Sequence, residues 1–212
     1  MAARDREQRT LWIGVIGHRP AGLAGADLTT IAGRLRDILR QARAITGQIT
    51  VVSSLAEGAD RLGAYAALHA GLPLYCPLPF ARDIYARDFE TADSLVEYQA
   101  LLDRAQRVLE LPGSRDSIEE REEAYAALSA ALLMLIDLLI AIWDGEEARG
   151  LGGTGNTVHA ALRLGIPVVW INSQPPHEVR LLTASPDGGS ISEPLDRLPA
   201  RIFDKARERE VL

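Results

Sequence analysis

The sequence predicts an α/β fold: a three-layer sandwich with a mainly parallel central sheet. Three observations carry this expectation. Short apolar runs of strand length alternate with segments of helical periodicity along the chain. The runs are almost continuously apolar, as strands buried on both faces should be. The two kinds of junction also differ: helices return to strands through glycine stops, whereas strands enter helices through polar, glycine-rich clusters.

Leu11 to Ile16 is the first apolar run, and helical periodicity follows over Leu28 to Ala44, stopped by Gly47. Ile49 to Val52 is the second run, followed by a helical segment from Glu57 to Ala70 and the stop Gly71-Leu72-Pro73. Leu74 to Cys76 comes next, then a helical segment from Ala92 to Ala105 and a strand from Val108 to Leu111. Between these, Phe80, Tyr85 and Phe89 form an aromatic cluster expected to pack a short helix. Residues 119–135 begin with the charged turn of Glu119 to Glu123 and read as a helix, and Leu138 to Trp143 reads as a buried strand stopped by Asp144-Gly145. Taken together, Ala126 to Trp143 approaches the ~18–20 apolar residues of a membrane span. Asp137 interrupts it at a cost of roughly 2.5–3.5 kcal/mol, so a helix feeding a strand is the expectation. A helix from Thr157 to Leu164, the stop Gly165-Ile166-Pro167 and a strand from Val168 to Ile171 complete the series. Beyond Gln174 the pattern changes: five of the eleven prolines fall between Pro175 and Pro199, with Asp187-Gly188-Gly189-Ser190 among them. The expected division is a ligand-binding domain over residues 1–173. Residues 174–212 are expected to form a tail or linker with a short charged helix near Ala200 to Glu210.

Composition narrows the chemistry. With 29 acidic and 23 basic residues the net charge is −6, from which no nucleic-acid partner is expected. Of the basic residues 22 are arginine, and the only lysine is Lys205. Phosphate-loop, kinase or Schiff-base lysine chemistry is therefore excluded from the body of the chain. Cys76 is the only cysteine, which excludes an intrachain disulfide and multi-cysteine metal sites. The segment Met1 to Thr10 is charged and has no apolar core, so no signal peptide is read there. A cytoplasmic protein without a membrane segment is expected. His18, His69, His159 and His177 show no metal-binding spacing, so no metal is expected, and nothing points to a cofactor.

The strand-to-helix clusters should gather at the carboxyl ends of the strands, the edge where open parallel sheets bind ligands. Gly152-Gly153-Thr154-Gly155 precedes a helix: glycines allow close backbone approach, and free N–H groups at a helix start attract phosphate. Thr154 or Thr157 would add a hydroxyl, against the plainer alternative of a surface turn with a helix cap. Gly17-His18-Arg19 follows the first strand. With lysine unavailable, Arg19 is the candidate for a bidentate phosphate contact, whereas His18 is expected more often to bond backbone than ligand. Ser53-Ser54-Leu55-Ala56-Glu57-Gly58 enters the next helix, and Ser54 to Glu57 has the spacing of a capping box. Glu57 is thus balanced between structure and catalysis. Asp144 is similarly balanced between a turn aspartate and a carboxylate for ribose hydroxyls or acid–base work. No G-x-G-x-x-G follows the first strand and no G-x-S-x-G elbow occurs, so dinucleotide and serine-hydrolase readings are set aside.

Taken in order, Gly17-His18-Arg19-Pro20, Ser53 through Asp60, Leu78-Pro79-Phe80, Asp137 through Gly145 and Gly152-Gly153-Thr154 resemble the SLOG domain family. That family lies within the superfamily joining the DprA/Smf and lonely-guy (LOG) proteins. The resemblance spans Leu11 to Asn172. It implies a Rossmann-like fold that binds nucleotides or nucleotide-derived ligands, often as a sensor. Lonely-guy enzymes instead cleave the N-glycosidic bond of nucleoside monophosphates, with the signature P-G-G-x-G-T-x-x-E. Here Leu151 replaces the proline, Asn156 takes the threonine position, and Val158 and His159 stand where the acid belongs. The glycine cradle is kept and the catalytic carboxylate is missing.

The leading expectation is a domain that binds or senses a nucleotide-derived small molecule. Its binding residues would be Gly17, His18, Arg19, Ser53, Ser54, Glu57, Gly58, Asp144, Gly152, Gly153, Thr154, Gly155 and Thr157. The alternative is an N-glycosidase in which Glu57 or Asp144 substitutes for the missing acid. A third reading is an interaction module with a vestigial pocket, and a homo-oligomer is left open.

Overall fold

Burial on both faces turns the apolar runs into one eight-stranded sheet. The strands are β1 (Leu11–Gly17), β2 (Ile49–Val52), β3 (Leu74–Leu78), β4 (Arg107–Glu110), β5 (Leu138–Trp143), β6 (Val168–Asn172), β7 (Val179–Ala184) and β8 (Ser190–Pro194). This computed structural model describes residues 10–146, 153–187 and 189–203. Every residue of β2, β3 and β5 is buried, whereas the edge strands β4 and β8 are largely exposed. The sheet order is β4-β3-β2-β1-β5-β6-β7-β8. The first six strands pair in parallel, and β7 and β8 join antiparallel.

Helices cover both faces. The helices are α1 (Leu28–Thr46), α2 (Ala59–His69), α3 (Arg82–Tyr85), α4 (Ala92–Asp103), α5 (Ile118–Leu135) and α6 (Thr154–Arg163). One hydrophobic cluster joins Ile31, Leu35 and Leu39 of α1, Ala64 and Ala67 of α2 and Leu101 of α4 to Ile13, Val15 and Val51 of the sheet. The other joins Leu132 and Leu133 of α5 and Val158, Ala161 and Leu162 of α6 to Leu139, Ala141 and Val168. The molecule is therefore the expected three-layer α/β sandwich, Rossmann-like in having its mostly parallel sheet between two helical layers.

The long apolar run resolves as helix then strand. Asp137 sits between α5 and β5, where its carboxylate accepts the Trp12 N–H at 3.0 Å and its own N–H donates to the Trp12 carbonyl at 2.8 Å. The charge that argued against a membrane span pins the start of β5 to β1. Among the described residues no helix is long and apolar enough to cross a membrane.

The stretch from residue 174, expected as a tail or linker, holds two strands of the same sheet. Leu181 and Leu182 of β7 are buried, and so are Leu198 and Phe203 beyond β8. Buried His177 ties this return to α1: its Nε2 accepts the Asp27 N–H at 3.2 Å, while Nδ1 lies 3.1 Å from the Asn172 carbonyl. A short 3-10 turn spans Ala200–Phe203, and the remainder of the expected C-terminal helix lies outside the described residues.

Candidate functional site

The strand order places a crevice where a ligand site belongs. From β1 the chain steps outward through β2, β3 and β4, then crosses back to β5 on the other side of β1. The connections leaving β1 and β5 therefore diverge, opening a gap at their carboxyl ends. That gap is a crevice of about 840 Å³ lined by the loop after β1, the approach to α2, α5, the end of β5 and the start of α6.

Nine of the sequence-derived candidates line it: Gly17, His18, Arg19, Ser54, Asp144, Gly153, Thr154, Gly155 and Thr157. Gly17 closes β1 opposite Ile142. A Cβ there would collide with the Ile142 carbonyl oxygen and lie 2.6 Å from the Ala59 Cβ. Glycine is thus required by strand and helix packing. His18 bonds the backbone twice, its N–H donating to Ile142 at 2.9 Å and its carbonyl accepting from Ala59 at 3.0 Å. Its Nε2 lies 3.0 Å from Asp144 Oδ1 and 3.2 Å from the Asp144 N–H. Burial works against ionisation of Asp144, but the Glu146 N–H and His18 outweigh it and hold the carboxyl below its ordinary value.

Arg19 leaves 45% of its side chain exposed and approaches Asp88 at 3.6 Å. Asp88 in turn pairs with Arg115 at 2.6 Å and accepts the Tyr125 hydroxyl. The arginine is thereby aimed along the crevice by a carboxylate from the turn after α3. Phe80, Tyr85 and Phe89 are all buried, with Tyr85 centred 6.4 Å from Phe80 and 5.2 Å from Phe89. They pack the short helix α3, as expected, and Tyr85 also faces the crevice.

Helix α6 opens on Gly153 without a side-chain cap, as α2 does on Gly58. Helices α1, α4 and α5 are each capped by a side chain: Asp27, Thr91 and Ser117. The α6 start thus presents backbone N–H groups beside Thr154 and Gly155 in the crevice wall, a suitable seat for an anion. Thr157 is buried and its hydroxyl lies 3.2 Å from Ser129 Oγ, which links α6 to α5.

Three described candidates lie elsewhere, and a fourth is not described. Ser53 is fully buried, and its hydroxyl donates to the Asp60 carbonyl at 2.8 Å. Glu57 accepts the Ser94 hydroxyl on α4 and does not line the crevice. Gly58 sits at φ +91° against the His18 carbonyl, where a side chain would clash. Gly152 lies outside the described residues. The capping box read over Ser54 to Glu57 does not form, because Leu55 turns to φ 60° and Gly58 takes the cap position.

Sequence reasoning missed Asp60. It follows Gly58 in the same cluster, where its position in the first turn of α2 concealed it. Its side chain lines the crevice and accepts backbone N–H bonds from Ser54 and Ala56. Burial pushes its carboxyl up to about 7, against the opposing pull of Arg19 and those N–H groups. Tyr125, Glu122 and Trp143 were likewise unmarked and line the same walls.

No protein-family model matches the sequence, and no curated protein matches it. Solved structures do resemble it in fold. DNA processing protein A from Helicobacter pylori, which binds single-stranded DNA, aligns at 16% identity over 79% of this chain and 67% of its own, with a TM-score of 0.50. DNA processing protein A from Streptococcus pneumoniae aligns at 16% identity over 80% of this chain and 53% of its own, with a TM-score of 0.53. This chain therefore spans about half the length of the latter protein. The protein TM1055 aligns at 20% identity over 74% of this chain and 72% of its own, with a TM-score of 0.42. The likeness is one of fold, and it corrects one expectation. A protein built on this sheet takes single-stranded DNA, so the acidic balance does not exclude a nucleic-acid partner.

Proposed function

We propose that the crevice between β1 and β5 binds a nucleotide group, either as a small molecule or within a single strand. The observation that carries this reading is that Arg19 and the start of α6, which opens on Gly153 without a side-chain cap, line one crevice at the strand-order switch. A planar guanidinium and the backbone N–H groups at a helix start are complementary to phosphate. Asp144 and Ser54, on neighbouring walls, suit ribose hydroxyls. The fold likeness to DNA processing protein A supports admitting a polynucleotide as well as a free nucleotide.

Titration calorimetry against nucleoside monophosphates, ADP-ribose, cyclic nucleotides and a single-stranded oligodeoxynucleotide tests the reading. At least one class should bind, and Arg19→Gln should weaken that binding by roughly 10–100-fold, the worth of a charge-assisted hydrogen bond. A folded protein that binds nothing in the panel removes the reading.

A second reading is hydrolysis of an N-glycosidic bond. It is favoured by Asp144, an ionised carboxylate in the crevice held by His18, which is the type of group that stabilises an oxocarbenium-like transition state. Glu57 has no such placement. Release of free base from nucleoside monophosphates, abolished by Asp144→Asn with binding retained, supports hydrolysis; binding without any base release leaves the crevice as a binding site.

A further inference from the structure

Asp60 occupies the crevice wall in surroundings that do not fully match either of its charge states. The residue is 7% exposed, in the first turn of α2. The N–H groups of Ser54 and Ala56 donate to it and favour the carboxylate. A counter-ion is lacking: Arg19 is drawn to Asp88 and Arg61 to Glu97, so no cation among the described residues is ion-paired to Asp60. The other facing groups are Cys76 on β3 and Tyr85 on α3. Burial, then Asp60 itself, pushes the Cys76 thiol up to about 12 and the Tyr85 phenol far up as well. Both stay neutral at neutral pH, which leaves Arg19, with Arg61 on the same helix, as the charges to which Asp60 responds.

We infer that Asp60 is a specificity-determining acid of this crevice: it takes up a proton as an anionic group docks beside Arg19, and its O–H then donates to that group. The inference rests on the reading of the crevice as a phosphate site. An anion at Arg19 cancels the positive potential that holds Asp60 ionised and adds negative charge in a water-poor cleft. A carboxylate there repels phosphate, whereas a carboxylic acid offers a hydrogen bond. Burial already pushes the Asp60 carboxyl up to about 7, so the proton is available near neutrality. The site consequently favours anions that dock with a proton, and affinity rises as pH falls, by up to about tenfold per proton and pH unit.

Sulfate is a suitable probe because its charge is constant through the neutral range. In the full chain with labelled aspartate carboxyl carbons, Asp60→Asn identifies the Asp60 NMR signal, and the Thr154 and Gly155 amides report whether sulfate occupies the crevice. The expected result is a titration near neutrality in the free protein, raised by about one pH unit in saturating sulfate. Arg19→Gln should lose that rise. Should Asp60→Asn fail to fold, the Ser54 and Ala56 amide protons read the same titration in the unaltered chain. An Asp60 that titrates in the ordinary carboxylate range overturns the inference. Amide shifts without movement of the Asp60 midpoint overturn it too, while sparing the phosphate reading. If no amide shift appears at any sulfate concentration, the phosphate reading fails and takes the proton coupling with it.

Discussion

Asp88 joins three segments around the crevice with a single carboxylate, accepting from Tyr125 on α5, pairing with Arg115 before α5, and drawing in Arg19 after β1. With 7% of its side chain exposed, its removal leaves two arginines without their counter-charge. Asp88→Asn should cost about 3 kcal/mol in denaturant unfolding and weaken phosphate binding through a misaimed Arg19. Asp60 gives a pH signature of its own. Its folded value of about 7 lies above the ordinary 3.8, so between those values the folded protein holds more protons than the unfolded chain. Its contribution to stability therefore falls as pH rises from 3.8 to about 7 and is level above. In urea unfolding series, Asp60→Asn should lack this decline, and an unchanged pH slope would contradict the assignment. At this scale the sequence marked polar and glycine residues at strand ends, and nine of them meet in one crevice. It did not mark Asp60, because the burial that raises its carboxyl and the Arg19 charge that opposes it come from parts of the chain distant in sequence. Nor did it show that Ser94 on α4 would engage Glu57.

The elements were largely legible because their signals are local. Apolar runs became strands and glycines such as Gly47 at φ 83° ended helices, while the structure adds that Asp27, Thr91 and Ser117 cap the helices that follow them. The contrast that matters is that α2 and α6 begin on glycine without a side-chain cap, and both starts approach the crevice. The end of β1 is equally constrained. Gly17→Ala would force its Cβ against the Ile142 carbonyl and the start of α2, at a cost of about 3 kcal/mol. Thermal unfolding measures this directly, and a loss of well under 1 kcal/mol would show that β1 and β5 can spread apart. Two elements escaped the reading. β7 and β8 lie among prolines and exposed polar residues, and their pairing is visible only against β6.

For the whole molecule, the described residues between 174 and 203 are part of the sheet and its core. Removing residues 175–212 would bare the β6 edge, discard buried Leu181, Leu182, Leu198 and Phe203, and cut the His177 link to Asp27. At roughly 1.5–3 kcal/mol per buried apolar side chain, the loss is about 6 kcal/mol or more. Calorimetry and size-exclusion chromatography should then show a destabilised, aggregating chain. A truncated protein that melts like the full chain would return this segment to the status of a tail. Net charge by itself does not exclude a nucleic-acid partner at this scale. The overall balance of −6 coexists with a crevice lined by both Arg19 and the start of α6, and with a fold shared by a single-stranded DNA binder. By itself the sequence determined the α/β alternation, the helix stops and the chemical types gathered at strand ends, since periodicity and caps act over a few residues. Only the tertiary structure decided the strand order, the convergence of Arg19, Asp60, Asp144 and the α6 start, and the neutral-range acidity of Asp60. Those depend on which distant surfaces exclude water from one another.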